Sequence, residues 1–530
     1  MRGNSVLKIY KWLAIIHIIL FAIPAFFTVN PWYFLMLSVA QILFVPLTLQ
    51  LILQVELRLY YFVLPAISSV IVLQITNETS FDIVLAIIYL LYTLAIAVYG
   101  IRRLLQRGFA HIEEFAIDAG FMYLFMGGIW FFAFETGIDT GFSPMLTWLT
   151  AIHFHYSSFL LPIFIGLVGR LYKPKSYPFF TTIILVSPLV VAAGITFSPW
   201  LELVSVLLYI TGIYGFIVLS LKVPFTSWIQ KILVIISFGA LGITIIFSLL
   251  YAVGNAFGVF QVTIEFMLKF HGFFNCVLFG LCGLVGWSIL TPASSYSTWN
   301  FPISHIRGKF VIGEQLVETN KGTQTYNGLV DDMGVYISRN NVKSSIIDFY
   351  ENTKQYQLYS EVHWHAWFKP FAVVYGNISK KIQQLNLPYT SKKVEMTGDI
   401  IAVEDGRFKT RAWVRKIESD VIFVALYSLH EKDEKTYMNI ALPLPLSSMT
   451  GILELREQDN LSLLLTSSGS DNSNAGIYLS FYKYVFKLPL HEQFLIEEIS
   501  GGQLSAKHRM KIFSIPFLSI DYTIVSKSLL

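Results

Sequence analysis

The chain has 530 residues, with 38 Lys and Arg against 34 Asp and Glu, a net charge of +4 that is too small to argue for nucleic acid. Only 23 of these charged residues lie in the first 293 positions, where apolar runs of spanning length recur, whereas the last 237 positions hold 49. The two parts need different solvents, which excludes a soluble single-domain protein, a disordered chain and a secreted disulfide scaffold.

Arg2, Lys8 and Lys11 precede an apolar run from Trp12 to Val29. The run matches a full span of about 20 residues and no small-x-small cleavage site comes after it, so it reads as a retained first helix and not a signal peptide. Lipid cannot satisfy an unpaired backbone group, so each crossing must be such a helix. Ten spans are predicted on that rule, near 9–29, 31–54, 58–76, 82–101, 114–135, 145–170, 177–197, 199–220, 229–254 and 263–291. Arg2, Lys8, Lys11, Arg58, Arg102, Arg103, Arg107, Arg170, Lys173, Lys175, Lys222 and Lys231 then fall on one side, while the opposite loops carry Glu78, Asp82, Glu135 and Asp139 and no basic residue. By the positive-inside rule both termini are cytoplasmic. Pro46, Pro65, Pro162 and Pro188 predict kinks. Cys276 and Cys282 are separated by about 9 Å of helical rise and are expected to be thiols.

Ionisable groups at membrane depth are costly and mark functional sites by default. Glu113, Glu114 and Asp118 open the fifth span, where carboxylates favourably meet the helix dipole and face the basic stretch at 102–107. The densest polar group is Thr150-Ala-Ile-His153-Phe-His155-Tyr156-Ser157-Ser158 in the sixth span, matched by His271-Gly-Phe-Phe-Asn275 in the tenth. Both histidines fall about eight residues, roughly 12 Å, inside from the same face. Residues two apart diverge by about 200° around a helix, so His153 and His155 cannot share a ligand without local unwinding. The expected binding pocket is therefore His153, Tyr156, His271 and Asn275, with His155 on a second helix contact or admitted by a distortion, and with Cys282 continuing the tenth-span stripe. His17 reads as a packed, hydrogen-bonded side chain.

Three readings of the pocket are open: interhelical hydrogen-bond glue, a site for a transported or sensed ion or small polar solute, and haem or metal held by imidazoles. The third makes the chain a membrane oxidoreductase. The cofactor, if any, is left unknown. The His153-Phe-His155-Tyr156 element and the His271-Gly-x-x-Asn275 element with its neighbouring glycines and Trp287, over residues 100–292, resemble the YndJ-like family of bacterial membrane proteins. That resemblance implies a multi-pass inner-membrane protein and no mechanism.

From Ser294 the periodicity changes, dividing the chain into a bundle at 1–293 and a cytoplasmic domain at 294–530. A helix is predicted over Val342–Tyr356 and another over Ala372–Gln384. Alternating runs predict strands at Tyr359–Phe368, Lys393–Val403, Phe408–Ile417, Val421–Leu429, Gly451–Glu457, Leu461–Thr466, Gly476–Tyr484, His491–Ile499, Gln503–Phe513 and Leu518–Val525, with a turn at Asp405-Gly406. The fold class expected is thus an α-helical polytopic bundle followed by a β-rich α+β domain able to curve around an apolar ligand. His363-Trp-His365 reads as a surface pair. Phosphate loops, zincin helices, nucleophile elbows and kinase motifs are absent, which argues against soluble-enzyme chemistry.

Overall fold

The computed structural model describes residues 2–53, 60–109, 111–260, 262–294, 299–389, 391–469, 473–482 and 484–529. The chain divides into two compact units, Met1–Leu104 with His111–Tyr296, and Leu105–Ala110 with Ser297–Leu530.

The first unit is helical: α1 (Arg2–Phe27), α2 (Trp32–Leu53), α3 (Tyr60–Ile75), α4 (Asp82–Arg107), α5 (Ile112–Glu135), α6 (Pro144–Leu171), α7 (Tyr177–Phe197), α8 (Pro199–Lys222), α9 (Trp228–Phe257) and α10 (Ile264–Ile289). Among the described residues nine of these are long and apolar enough to cross a membrane. The exception is α3, whose apolar part, Phe62–Ile75, is shorter than a full span; residues 58 and 59 of the run expected there lie outside the described residues. The helix ends follow capping rules. Ser143 accepts from the Leu146 amide at 3.3 Å with Pro144 in the first turn, Thr263 accepts from Phe266 at 3.2 Å, and α9 stops at Gly258, which takes φ +67°.

Burial separates inner from outer helices. In α2 and α6, 89% of the most apolar window is buried, against 22–56% in the other spanning helices. The outer ones turn large apolar side chains outward, among them Trp12, Ile19, Ile83, Phe197 and Ile243, as a hydrocarbon solvent permits. Both inner helices, and α10 beside them, are also irregular. Ala40–Phe44 in α2, Tyr156–Leu160 in α6, and Met267–Gly272 and Asn275–Leu281 in α10 are π-helical.

The second unit is a β domain. Its strands are β1 (Tyr356–Trp364), β2 (Val394–Ala402), β3 (Arg411–Ile417), β4 (Asp420–Lys432), β5 (Lys435–Leu444), β6 (Ser447–Glu457), β7 (Leu463–Thr466), β8 (Gly476–Phe481), β9 (Tyr484–Lys487), β10 (Leu490–Ser500), β11 (Gln503–Ile512) and β12 (Ile515–Ser526). Their order is β5-β4-β3-β2-β1-β12-β11-β10-β7-β6, and β6 pairs back to β5, for example Ile440 with Gly451. Ten antiparallel strands thereby close into a barrel, which removes exposed edges; β8 and β9 form a hairpin attached to β6. Alternation sorts the side chains. Trp413, Phe423, Tyr427, Met438 and Ile520 join the inner core, while Ala412, Val414, Val424 and Leu426 pack outward beneath α11 (Gly313–Thr319). The inner core also takes Ile346, Ile347, Phe349 and Tyr350 from α12 (Ser344–Glu351).

Several sequence expectations shift. The helix expected to end at Tyr356 ends at Glu351, because Tyr356 already pairs with Ser526 as the first residue of β1. β5 was not expected: Pro443 and Pro445 argue against a strand, yet β5 pairs with β4 from Lys435 to Ala441 and with β6 from Tyr437 to Leu444, so that Pro443 falls where β6 is the one partner. Asp405-Gly406 lies between paired strands as expected, with Gly406 at φ +83°, but inside a longer connection from Ala402 to Arg411. The second helix, α13 (Lys369–Ile382), starts three residues earlier than expected.

Candidate functional site

The π-helical segments of α2, α6 and α10 meet at Tyr156. Its hydroxyl donates to the Met36 carbonyl of α2 at 2.7 Å, and the Cys276 Sγ of α10 lies 3.2 Å from the same oxygen. The Tyr156 ring meets Phe44 edge to face at 5.9 Å. α10 reaches α2 because Gly280 has no Cβ; one built there would stand 2.6 Å from the Phe44 ring. π-turns insert a residue into a helix and are enriched at functional sites. The insertion also explains why Cys276, and not Cys282, faces Tyr156: each extra residue rotates the remainder of the helix by about 100° and breaks the sequence stripe.

His271 is fixed by α9 as well as by its own helix. Its Nδ1 donates to the Thr244 carbonyl at 3.0 Å, so Nε2 is the acceptor and takes a bond from Asn275 Nδ2 at 3.4 Å. Asn275 Oδ1 in turn accepts from Thr244 Oγ1 at 2.7 Å, and Ser248 Oγ lies 3.4 Å from His271 Nδ1. His153 uses the same device, donating from Nδ1 to the Leu149 carbonyl at 2.6 Å. Its side chain is exposed, no described group takes its Nε2, and it stands within electrostatic range of His271.

His155 goes elsewhere. It is fully buried, donates from Nδ1 to the Ala151 carbonyl at 2.8 Å, and accepts at Nε2 from the Tyr89 hydroxyl of α4 at 2.7 Å, with the two rings stacked. Gly127 of α5 makes room for it. Thus Tyr156 meets α10, His271 and Asn275 form one network with α9, His153 stands near His271, and His155 is excluded from that group. His17 is buried and its Nδ1 donates to the Ile42 carbonyl at 2.7 Å. Sequence reasoning missed Thr244 and Ser248, although two hydroxyls four apart in an apolar helix are a readable signal. It had no means of finding the Met36 carbonyl.

A second polar cluster is charged. Glu114 is gripped by Arg170 at 2.6 and 3.0 Å and by Arg103 at 3.0 Å; Arg103 also meets Asp118 at 2.9 Å, and Lys173 meets Glu113 at 3.1 Å. All three carboxylates are buried, and Arg170 further donates to the Pro292 carbonyl at 2.9 Å. Sequence reasoning placed these carboxylates at a helix start beside basic residues but did not foresee their burial or Arg170. Among the described residues no three His, Cys, Asp or Glu side chains are grouped to hold a metal ion.

Multiple apolar helices with polar groups satisfied between them, followed by a β-barrel domain, define a multi-pass membrane protein. The profile of the YndJ-like protein family matches residues 35–279. The chain is 39% identical over 459 residues to the uncharacterized membrane protein YndJ of Bacillus subtilis (strain 168), covering 83% of each sequence. It belongs to the YndJ-like family. No solved structure matches it.

Proposed function

We propose that the bundle binds a small polar solute or ion at His153, Tyr156, His271 and Asn275, either moving it across the membrane or sensing it. The observation that carries this reading is the convergence of three π-distorted helices on a neutral hydrogen-bonding network beside an imidazole with an open Nε2. We place the protein in a bacterial cytoplasmic membrane on its family, with both termini inside on the partition of its basic residues, and residues 294–530 act as a cytoplasmic regulatory or ligand-binding domain. Ligation of haem or metal by His153, His155 and His271 requires convergent imidazoles, whereas His155 turns its Nε2 to Tyr89.

Thermal unfolding of the detergent-purified full chain against sodium, potassium, ammonium, magnesium, chloride and small neutral polar solutes tests the reading. A bound solute at about 100 times its Kd stabilises by about 2.7 kcal/mol. At least one of these is expected to raise Tm by several degrees in the wild type and in Glu265→Gln, and to have no effect on His271→Ala or Asn275→Ala. A shift shared by all four proteins, or none in any, overturns the site.

A further inference from the structure

Among the described residues, one arginine in the barrel of the second unit has no counter-ion. Trp413 and Arg415 lie two apart on β3 and therefore point to the same inner face. The Arg415 guanidinium stands 4.6 Å from the centre of the Trp413 ring and 4.4 Å from that of Phe423, its Nε is buried without a hydrogen-bond partner, and among the described residues no carboxylate pairs with it. The other arginines of this region are treated differently. Arg411 pairs with Asp331 at 2.7 Å and with the Gly328 carbonyl at 2.8 Å, and Arg407 pairs with Asp405. Ring faces recover only part of what desolvating a cation costs, so an unmatched guanidinium here favours an incoming anion.

Its surroundings match one class of anion. Arg415 borders a cavity of 130 Å³ walled mostly by aliphatic and aromatic side chains. Tyr522 of β12 is within hydrogen-bonding reach of Arg415, and Tyr427 of β4 is within its electrostatic range. Burial pushes the Tyr427 hydroxyl up to about 12 and raises that of Tyr522 as well, so both remain hydrogen-bond donors at neutral pH. The carboxylate in the cavity wall, Glu492, is engaged by His508 Nε2 at 3.2 Å, and His508 is itself stacked on Phe494. A second cavity of 340 Å³ adjoins the first, sharing Leu329, Tyr427 and Met438 in its lining, so a chain longer than the inner cavity would have to pass between these side chains. An apolar cavity of about 150 Å³ accommodates a benzene-sized group.

The geometry points to a binding site inside the barrel for a single-chain amphiphile, its carboxylate or phosphate head on the fork of Arg415 and the hydroxyls of Tyr427 and Tyr522, its tail in the apolar cavity. A guanidinium presents paired donors that fit either head. This deepens the ligand-binding reading of the C-terminal domain and is independent of the bundle site, which is tested with different variants.

The full chain in lipid nanodiscs, titrated with carboxyl-¹³C-labelled decanoate, tests it by carboxyl-carbon NMR. A carboxylate resonance absent from empty nanodiscs is expected, displaced by unlabelled decanoate and by decyl phosphate but not by decanol. The stronger competitor of the first two identifies the preferred head. Arg415→Met should weaken binding at least tenfold. The double variant Tyr427→Phe/Tyr522→Phe removes only two hydroxyls and should weaken it severalfold, which keeps the test valid if Arg415→Met does not fold. No protein-dependent resonance, equal displacement by decanol, or unchanged affinity in the double variant overturns the proposal.

Discussion

The bundle holds two buried polar clusters that solve the same problem in opposite ways. Around Glu113, Glu114 and Asp118 every carboxylate meets a cation, and the acceptors of Glu114 are divided between Arg103 and Arg170. Around Tyr156, His271 and Asn275 the partners are carbonyls, an amide, a thiol and hydroxyls, all neutral when the imidazoles are. A saturated ion cluster has no capacity left for a ligand and fixes α4, α5 and α6 against one another. A neutral network is less costly to rearrange, and His153 leaves an acceptor open at its edge. The difference gives the first cluster a structural role and, on the function proposed above, leaves the second as the one that exchanges a solute.

The largest effect should come from the charged cluster. Arg170→Met removes two bonds to Glu114 and one to the Pro292 carbonyl, leaving a buried carboxylate with Arg103 alone. Breaking such a pair costs about 3–5 kcal/mol, so the variant should express poorly and unfold at a clearly lower temperature. A wild-type unfolding curve would mean that water reaches the cluster, and the contrast with the neutral site would lose its basis.

A charged pair in the β domain sharpens the point with pH. Burial pushes the Asp405 carboxyl up, but the charge of Arg407 and hydrogen bonds from Arg407, Thr410 and Ser304 bring it below its ordinary value. A carboxyl depressed on folding adds stability that is complete above the unfolded range near pH ~4 and is lost as pH falls through the lower folded value. Asp405→Asn should therefore destabilise this domain at pH 7 by about 2–3 kcal/mol, somewhat less than a full deletion of one partner because the amide keeps some bonds. The gap from wild type should narrow on acidification below pH ~4. Hydrogen exchange in β3 and β4 reads it locally, and a gap independent of pH would show that the charge of Asp405 is not what stabilises the fold.

How far the sequence reaches differs between the same regions. Apolar runs and charge alternation identify the spanning helices because bilayer thickness sets their length, and α3 fell short because its apolar part is brief. Strand alternation found most of the barrel, as in β1, where buried Tyr356, Leu358 and Val362 alternate with less buried Gln357, Tyr359 and Glu361, whereas β5 was hidden by Pro443 and the Pro445 that follows it. Barrel closure through β5 and β6 has no local signal. Within the site, His271 and Asn275 were legible as an i, i+4 pair. Cys276 was not, because π-turns carry no residue signature and offset every face beyond them. Arg170 and Glu114 are 56 positions apart, and only the packed bundle brings them together.

A smaller effect separates the two roles at Tyr156. Tyr156→Phe keeps the ring against Phe44 and loses the bond to the Met36 carbonyl. A single hydrogen bond is worth about 0.5–1.5 kcal/mol, so a modest fall in unfolding temperature is expected, together with faster reaction of Cys276 with a membrane-permeant thiol reagent as its neighbour loosens. Unchanged Cys276 reactivity would mean that the thiol is held by packing alone.

The smallest effect on stability, and the most discriminating, belongs to His153. Its ring is exposed, its one hydrogen bond runs to a carbonyl four residues back on its own helix, and no described group depends on its Nε2. His153→Ala should therefore change unfolding by no more than about 0.5 kcal/mol, the range of a substitution that empties no core and orphans no buried partner. If His153 only glued helices, the variant would differ in nothing else. If its Nε2 belongs to the solute site, the solute-dependent rise in Tm should disappear from a protein whose own stability is unchanged, whereas Arg170→Met, once folded, should retain that rise. Loss of the response in both variants, or in neither, would remove the distinction between a saturated cluster that holds the helices and an unsaturated one that works between them.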